Sequence, residues 1–178
     1  MELGRSSRGR GGEDPLLSAG PRVACVAIGS NLGDRRANVE AAVEAIRNLE
    51  GVRDVVVSSI EETEPVGGPP QGNFLNAAVR FTTSRDARGV LAQLRRIETS
   101  LGRVRGERWG PRTIDLDLLT CGDEVSDDPD VCVPHPRMCE RRFVLDPLVE
   151  IAPDVRHPSE GRTMRELLDR LLAHERTE

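Results

Sequence analysis

Two aspartates, Asp115 and Asp117, stand two positions apart in the run TIDLDLLT (113–120). In an extended strand, positions i and i+2 project from one face, so this pair points together while Ile114, Leu116 and Leu118 point the other way. Two rises of about 3.3 Å place the carboxylates within roughly 7 Å of each other. Two bare carboxylates that close repel, and one tends to keep a proton. A divalent cation removes the conflict. Mg²⁺ takes oxygen ligands and is typically held by one or two carboxylates plus substrate phosphates, and two such ions can share an acid pair. The same spacing also fits a solvent-facing strand edge whose acids are balanced by arginines.

Just upstream, RVRGERWGPR (103–112) is a Gly/Pro-containing loop with Arg103, Arg105, Arg108 and Arg112. Guanidinium forks suit phosphate oxygens. Acids able to bind metal beside such a loop describe a nucleotide polyphosphate site. The competing reading is a solvated turn paired to the acids.

Composition narrows the chemistry. All 25 basic residues of the 178 are arginine. A P-loop ATPase and a protein kinase each need a lysine on the phosphates, so both are excluded, and phosphates fall to arginine, backbone amides and metal. A net charge of −5 disfavours bulk nucleic-acid binding. No apolar run approaches membrane-spanning length, and the N-terminal arginines lead into no signal-peptide core. Cys25, Cys121, Cys132 and Cys139 form no CxxC pair and read as buried or idle thiols of a reducing cytoplasm. His135, His157 and His174 lack zinc-ligand spacing. Aromatics make up 2 %, with no Tyr, one Trp and three Phe, so the core must be mostly aliphatic.

The elements that must position the acids follow from periodicity. Residues 1–21, rich in Gly, Ser and Arg, read as a disordered leader, and 22–178 as one domain. VACVAIGS (23–30) is a buried strand, and the GSNLG stretch (29–33) a tight turn into a helix capped by Asp34 and closed by Gly51. Residues 52–62 are β-branched and read as one strand, 64–73 as a Pro/Gly loop, and NAAVRFTT (76–83) as a further strand. A helix runs from about Asp86 to Gly102. After strand 113–120, CGDEVSDDPD is an acidic turn without calcium-loop spacing, VCVPHPRM is short and extended, and FVLDPLVEIAP mixes apolar residues with proline. Thr163 and Glu166 form a capping box for a last helix. The order strand–helix–strand–strand–helix–strand predicts an α+β sandwich, ferredoxin-like in outline, with a mostly antiparallel sheet and helices on one face.

At this point the run RWGPRTIDLDLL resembles the signature of the 6-hydroxymethyl-7,8-dihydropterin pyrophosphokinases, enzymes of the folate pathway. VAIGSNLGD, FLNAAV, RIE before GRVR, PHPRM, ERRFVLDPL and EIAPD agree in the same order, over about residues 23–172. The resemblance implies transfer of pyrophosphate from ATP to the pterin's hydroxymethyl group with release of AMP. It implies Asp115 and Asp117 as ligands of two Mg²⁺ ions, and Arg103 and Arg112 as catalytic arginines of a loop that closes over ATP. Glu98, Arg105, Trp109, Arg112, His135 and Arg141 match ATP-contacting positions. Phe74 and Phe143 match the residues that sandwich the pterin ring, Asn76 an edge-reading position, and Thr63 and Val66 positions beside the ring. Phe81 reads as core. The partners implied are ATP and the reduced pterin, with no nucleic acid and no membrane, for a cytoplasmic monomer. Glu64, Arg95 and Pro136 depart from common family residues, and the arginine loop is one residue shorter than in some members and lacks their lysine. A metal-dependent phosphohydrolase or nuclease using the same acids is the alternative. A noncatalytic RNA-binding module of this fold would need more aromatics and a basic face.

Overall fold

The computed structural model describes residues 20–104, 106 and 109–177. The leader expected over residues 1–21 therefore lies almost wholly outside the described residues, as does Arg105.

Four strands build the main sheet: β1 (Arg22–Ser30), β2 (Val52–Val57), β4 (Phe74–Thr83) and β5 (Asp115–Cys121), with the short β3 (Glu61–Thr63) paired to the start of β4. Their order is β2-β4-β1-β5, and every pairing is antiparallel. With α1 (Arg35–Arg47) between β1 and β2 and α2 (Ala87–Ser100) between β4 and β5, this is the α+β sandwich expected from the sequence. Asp34 caps α1 by accepting from the Ala37 amide at 3.0 Å, and Asp86 caps α2 by accepting from the Gly89 amide at 2.8 Å.

Strand alternation sorts the apolar residues into two cores. Ala24, Val26 and Ile28 of β1, Leu75, Ala77, Val79 and Phe81 of β4, and Ile114, Leu116 and Leu118 face α1 and α2. Phe81 is the only aromatic ring buried there, at 1 % exposure. Each Val, Leu, Ile or Phe among them contributes about 1.5–3 kcal/mol on burial, so branched aliphatics carry this layer as the composition requires.

The second face corrects the expectation of helices on one side only. Cys25, Ala78 and Leu119 pack against α3 (Arg142–Ile151) and α4 (Met164–Glu175). The sequence left 143–153 without an element because proline breaks helices from within. Here Pro147 sits inside α3, and burial of Val144, Leu145 and Leu148 outweighs that penalty. The Thr163–Glu166 capping box opens α4 as expected.

Two further boundaries move. The strand expected over 52–62 breaks into β2 and β3, with a bulge between Arg53 and Val56 where Asp54 takes φ +54°. The acidic turn contains β6 (Ser126–Asp128), which forms a hairpin with β7 (Val131–Val133). Beyond β7, a short 3₁₀ turn (Met138–Glu140) leads into α3. No helix among the described residues is long and apolar enough to cross a membrane.

Candidate active site

β5 is an edge strand, and two of the residues singled out in the sequence take up its free hydrogen-bonding groups. The Glu98 carboxylate, at the end of α2, accepts from the Leu116 amide at 2.7 Å, and the His135 amide donates to the Leu119 carbonyl at 2.8 Å. Both residues are thereby drawn to the strand that carries Asp115 and Asp117. The two aspartates project from the face opposite Ile114, Leu116 and Leu118, which are all buried against α1 and α2.

Asp115 is held by both loop arginines. Arg103 reaches its Oδ1 at 2.7 Å, Arg112 its Oδ2 at 2.5 Å, and Arg103 also pairs with Glu98. Burial alone would lower the Arg103 guanidinium, but Asp115 and Glu98 outweigh it and hold it above its ordinary value. Burial pushes Glu98 up despite the Leu116 amide and Arg103. Asp117 is raised from 3.8 to about 7, by burial first and then by Asp115, against the opposing pull of Arg112 and Arg141. Both arginines thus pair with Asp115, while Asp117 carries the raised pKa.

The residues expected beside the pterin lie across the sheet. Gly29 of β1 pairs with Asp115 on one side and with Asn76 on the other. Paired residues share a face, so Asn76 and Asp115 project from the same side, about 10 Å apart by two strand spacings. A Cβ on Gly29 would lie 3.5 Å from Asn76 Oδ1 and 3.7 Å from the Phe74 ring, so glycine leaves the strip between them open. Asn76 is buried and donates from Nδ2 to Thr63 Oγ1 at 2.5 Å, which leaves its carbonyl oxygen toward Gly29. Phe74 shares that face, and α3, which begins beside Phe143, packs on the same side. The Arg141 guanidinium stands 5.7 Å from the centre of the Phe143 ring. Val66 is 68 % exposed, so its side chain forms no wall of this space.

His135 Nδ1 accepts from the Arg137 amide at 3.2 Å, which leaves Nε2 to carry the proton and donate. Burial, then Arg141, hold its pKa below the ordinary value, so the ring is neutral at pH 7. Trp109 is neither a free surface ring nor a core residue. Its side chain lies against Gly67, its carbonyl accepts from Gln71 Nε2 at 2.9 Å, and Arg137 lies 5.1 Å from its ring centre. The residue takes φ +68°, a left-handed conformation that costs a non-glycine about 1–3 kcal/mol and survives only where its surroundings enforce it. Arg95, one of the departures, donates to the Asp130 carbonyl at 3.1 Å.

The residue that sequence reasoning missed is Asn31, read only as part of a turn. It is buried and binds both flanking loops. Its amide donates to the Arg112 carbonyl at 3.1 Å and its Oδ1 accepts from the Arg112 amide at 2.9 Å. Its Nδ2 donates to Gln71 Oε1 at 2.8 Å and to the Gly72 carbonyl at 3.0 Å. A polar residue inside a glycine-flanked turn was the available signal, since a buried Asn must find partners for both ends of its amide.

Residues 25–153 match the family described as 7,8-dihydro-6-hydroxymethylpterin-pyrophosphokinase. The chain is 43 % identical over 143 residues to the 2-amino-4-hydroxy-6-hydroxymethyldihydropteridine pyrophosphokinase of Pseudomonas aeruginosa, covering 80 % of this chain and 88 % of that one. It is 47 % identical over 133 residues to the Bacillus subtilis protein of the same name, covering 75 % and 80 %. Among solved structures it superposes on the wild-type Plasmodium falciparum HPPK-DHPS crystallised with pteroate, with a TM-score of 0.70 at 13 % identity, over 92 % of this chain and 47 % of that one. The chain therefore spans about half the length of that protein, and the likeness shows the fold.

Proposed function

This chain belongs to the 7,8-dihydro-6-hydroxymethylpterin-pyrophosphokinase family, and we infer that it transfers pyrophosphate from ATP to the hydroxymethyl group of 6-hydroxymethyl-7,8-dihydropterin, releasing AMP, in folate biosynthesis. The hydroxymethyl oxygen bonds the β-phosphorus, the bond from that phosphorus to the oxygen bridging the α-phosphate breaks, and AMP leaves with that oxygen. The observation that carries this reading is Gly29, paired on one side with the pterin-edge residue Asn76 and on the other with Asp115. Acceptor and donor groups thereby share one open face of the sheet.

The residues fit Mg²⁺. Asp115 and Asp117 offer two carboxylates on one face, and no cluster of three or more His, Cys, Asp or Glu forms among the described residues. Two carboxylates with coordination left over suit an ion that shares its sphere with phosphates and water. A carboxyl held near pH 7 by burial and by its neighbour also gains much from a cation. When bound, Mg²⁺ neutralises phosphate charge and favours attack at phosphorus.

The chain's own residues do the rest. With a cation on Asp115 and Asp117, Arg103 and Arg112, which now pair with Asp115, would be available to turn their forks to phosphate oxygens. Glu98 fixes the strand that bears the acids. His135 donates from Nε2 and Arg141 supplies positive charge beside it for the nucleotide, with Trp109 and Arg105 contributing from the loop. Phe74 and Phe143 take the flat pterin ring, while Asn76 and Thr63 meet its polar edge and Val66 stands at the rim. Closing the arginine loop excludes water, the competing acceptor. Four unpaired cysteines suit a reducing cytoplasm, where residues 22–178 act as one catalytic domain, as a monomer.

The test is to mix the protein, Mg·ATP and 6-hydroxymethyl-7,8-dihydropterin and to identify products by mass. AMP and a pterin diphosphate are expected, with neither formed when pterin is omitted. Rapid phosphate or pyrophosphate release without pterin would instead establish a hydrolase.

A further inference from the structure

We propose that Arg137 is a positioning residue of the donor side, which clasps the Trp109 ring and so fixes the end of the arginine loop over the acid pair. The proposal rests on the pyrophosphokinase reading above. Arg137 belongs to the PHPRM stretch but matches none of the positions assigned to substrate.

Its guanidinium lies 5.1 Å from the centre of the Trp109 ring, within the range of a cation–π contact. Its nearest carboxylate among the described residues is Glu140, at 3.7 Å, with the two side chains 41 % and 69 % exposed. An ion pair that long and that wet holds a side chain poorly, so the ring is the better anchor. The base of Arg137 is firm. Its amide donates to His135 Nδ1 at 3.2 Å, and the next residue, Met138, is completely buried in the second core.

Trp109 in turn is a residue that needs holding. Its φ of +68° is left-handed, and it packs where only glycine fits. A Cβ on Gly67 would lie 3.1 Å from its Cζ3, and one on Gly68 would lie 2.7 Å from its carbonyl oxygen. Gly110 and Pro111 then lead directly to Arg112, which grips Asp115 at 2.5 Å. Proline fixes its own φ and restricts the residue before it, so little slack separates the ring from the catalytic guanidinium. Arg137 is thus connected, through Trp109, to the loop arginine nearest the acids.

Trp109 is the only tryptophan of the chain, so intrinsic fluorescence reports this ring alone. Acrylamide, a neutral quencher, is titrated against wild type, Arg137→Gln and Arg137→Lys, with kcat and both KM values measured in parallel and folding checked by thermal melting. Arg137→Gln is expected to raise the quenching constant about twofold and to lower kcat about three- to tenfold. Arg137→Lys, which keeps a cation over the ring, should recover most of both, which a merely structural role would not require. A double-mutant cycle with Trp109→Phe, read in kcat, should show the two losses to be less than additive. Unchanged quenching in Arg137→Gln, or raised quenching with unchanged kcat, overturns the proposal. Should Arg137→Gln not fold, Arg137→Met, which keeps the stem and loses the charge, takes its place in the quenching titration and in the cycle, full additivity counting against the clasp. A wild-type chain that makes no AMP removes the pyrophosphokinase reading instead, and the quenching comparison still decides whether Arg137 holds the ring.

Discussion

The metal binding proposed for the acid pair should depend on pH across the neutral range, because Asp117 is raised to about 7 by burial and by Asp115. A metal ligand must lose its proton. For a carboxyl at about 7, roughly a tenth is ionised at pH 6 and roughly nine tenths at pH 8. The apparent Mg²⁺ affinity of the nucleotide-free protein should therefore rise about tenfold between those values, or about 1.4 kcal/mol. An acid at its ordinary 3.8 would be ionised throughout and show no such change. Calorimetric titration at pH 6, 7 and 8, repeated in buffers of different ionisation heat, measures both the affinity and the protons released. At pH 7 about half a proton should leave per Asp117 that binds. Folding gives a second handle. The folded-state pKa lies above the unfolded one, so the stability this group contributes is full below about pH 4 and is lost as pH rises through about 7. Asp117→Asn should consequently melt higher than wild type at pH 8 without metal, with that advantage gone near pH 4. Affinity that does not change between pH 6 and 8, together with no proton release, would refute the argument.

Arg112→Ala removes one of the two clamps on Asp115 and, on the proposed mechanism, a charge that serves attack at phosphorus. It should lower kcat about a hundredfold or more with a much smaller change in the Kd of ATP, both read from rapid-mix kinetics and equilibrium binding. Phe143→Ala should weaken pterin binding about tenfold in fluorescence titrations while leaving ATP affinity within about twofold. Asn31→Ala strips the side-chain bonds to Gln71, Gly72 and Arg112. It should destabilise the fold by about 1–3 kcal/mol in urea melts and weaken both substrates, since both loops lose a shared partner. Gly29→Val fills the strip between Asn76 and Asp115 and should abolish turnover while far-UV circular dichroism stays that of the wild type.

The legible parts of this protein were those governed by short-range periodicity. Alternation in TIDLDLLT placed Asp115 and Asp117 opposite Ile114, Leu116 and Leu118, and the structure has that division. The caps at Asp34, Asp86 and Thr163 were equally local. Helix α3 was missed because Pro147 is a local breaker, whereas the burial that overrides it comes from residues far away in sequence. Asn31 was undervalued for the same reason. Its turn is visible in the sequence, but its partners stand 40 and 81 positions further on. Of the two main causes of Asp117's raised pKa, burial, the larger, was not legible, whereas the repulsion from Asp115 could be anticipated. The pairing of Asp115 with both Arg103 and Arg112 was equally out of reach, since loop geometry sets it.

The two unlike faces of the sheet have a bearing on how this protein can change over generations. The aliphatic layer under α1 and α2 contains none of the residues assigned to substrates or metal. Heat tolerance can drift there by exchange of one branched side chain for another, leaving the chemistry untouched. On the proposed assignment, substitutions that blunt an inhibitor competing with pterin are confined to the opposite face, where the same few side chains must still admit the natural substrate.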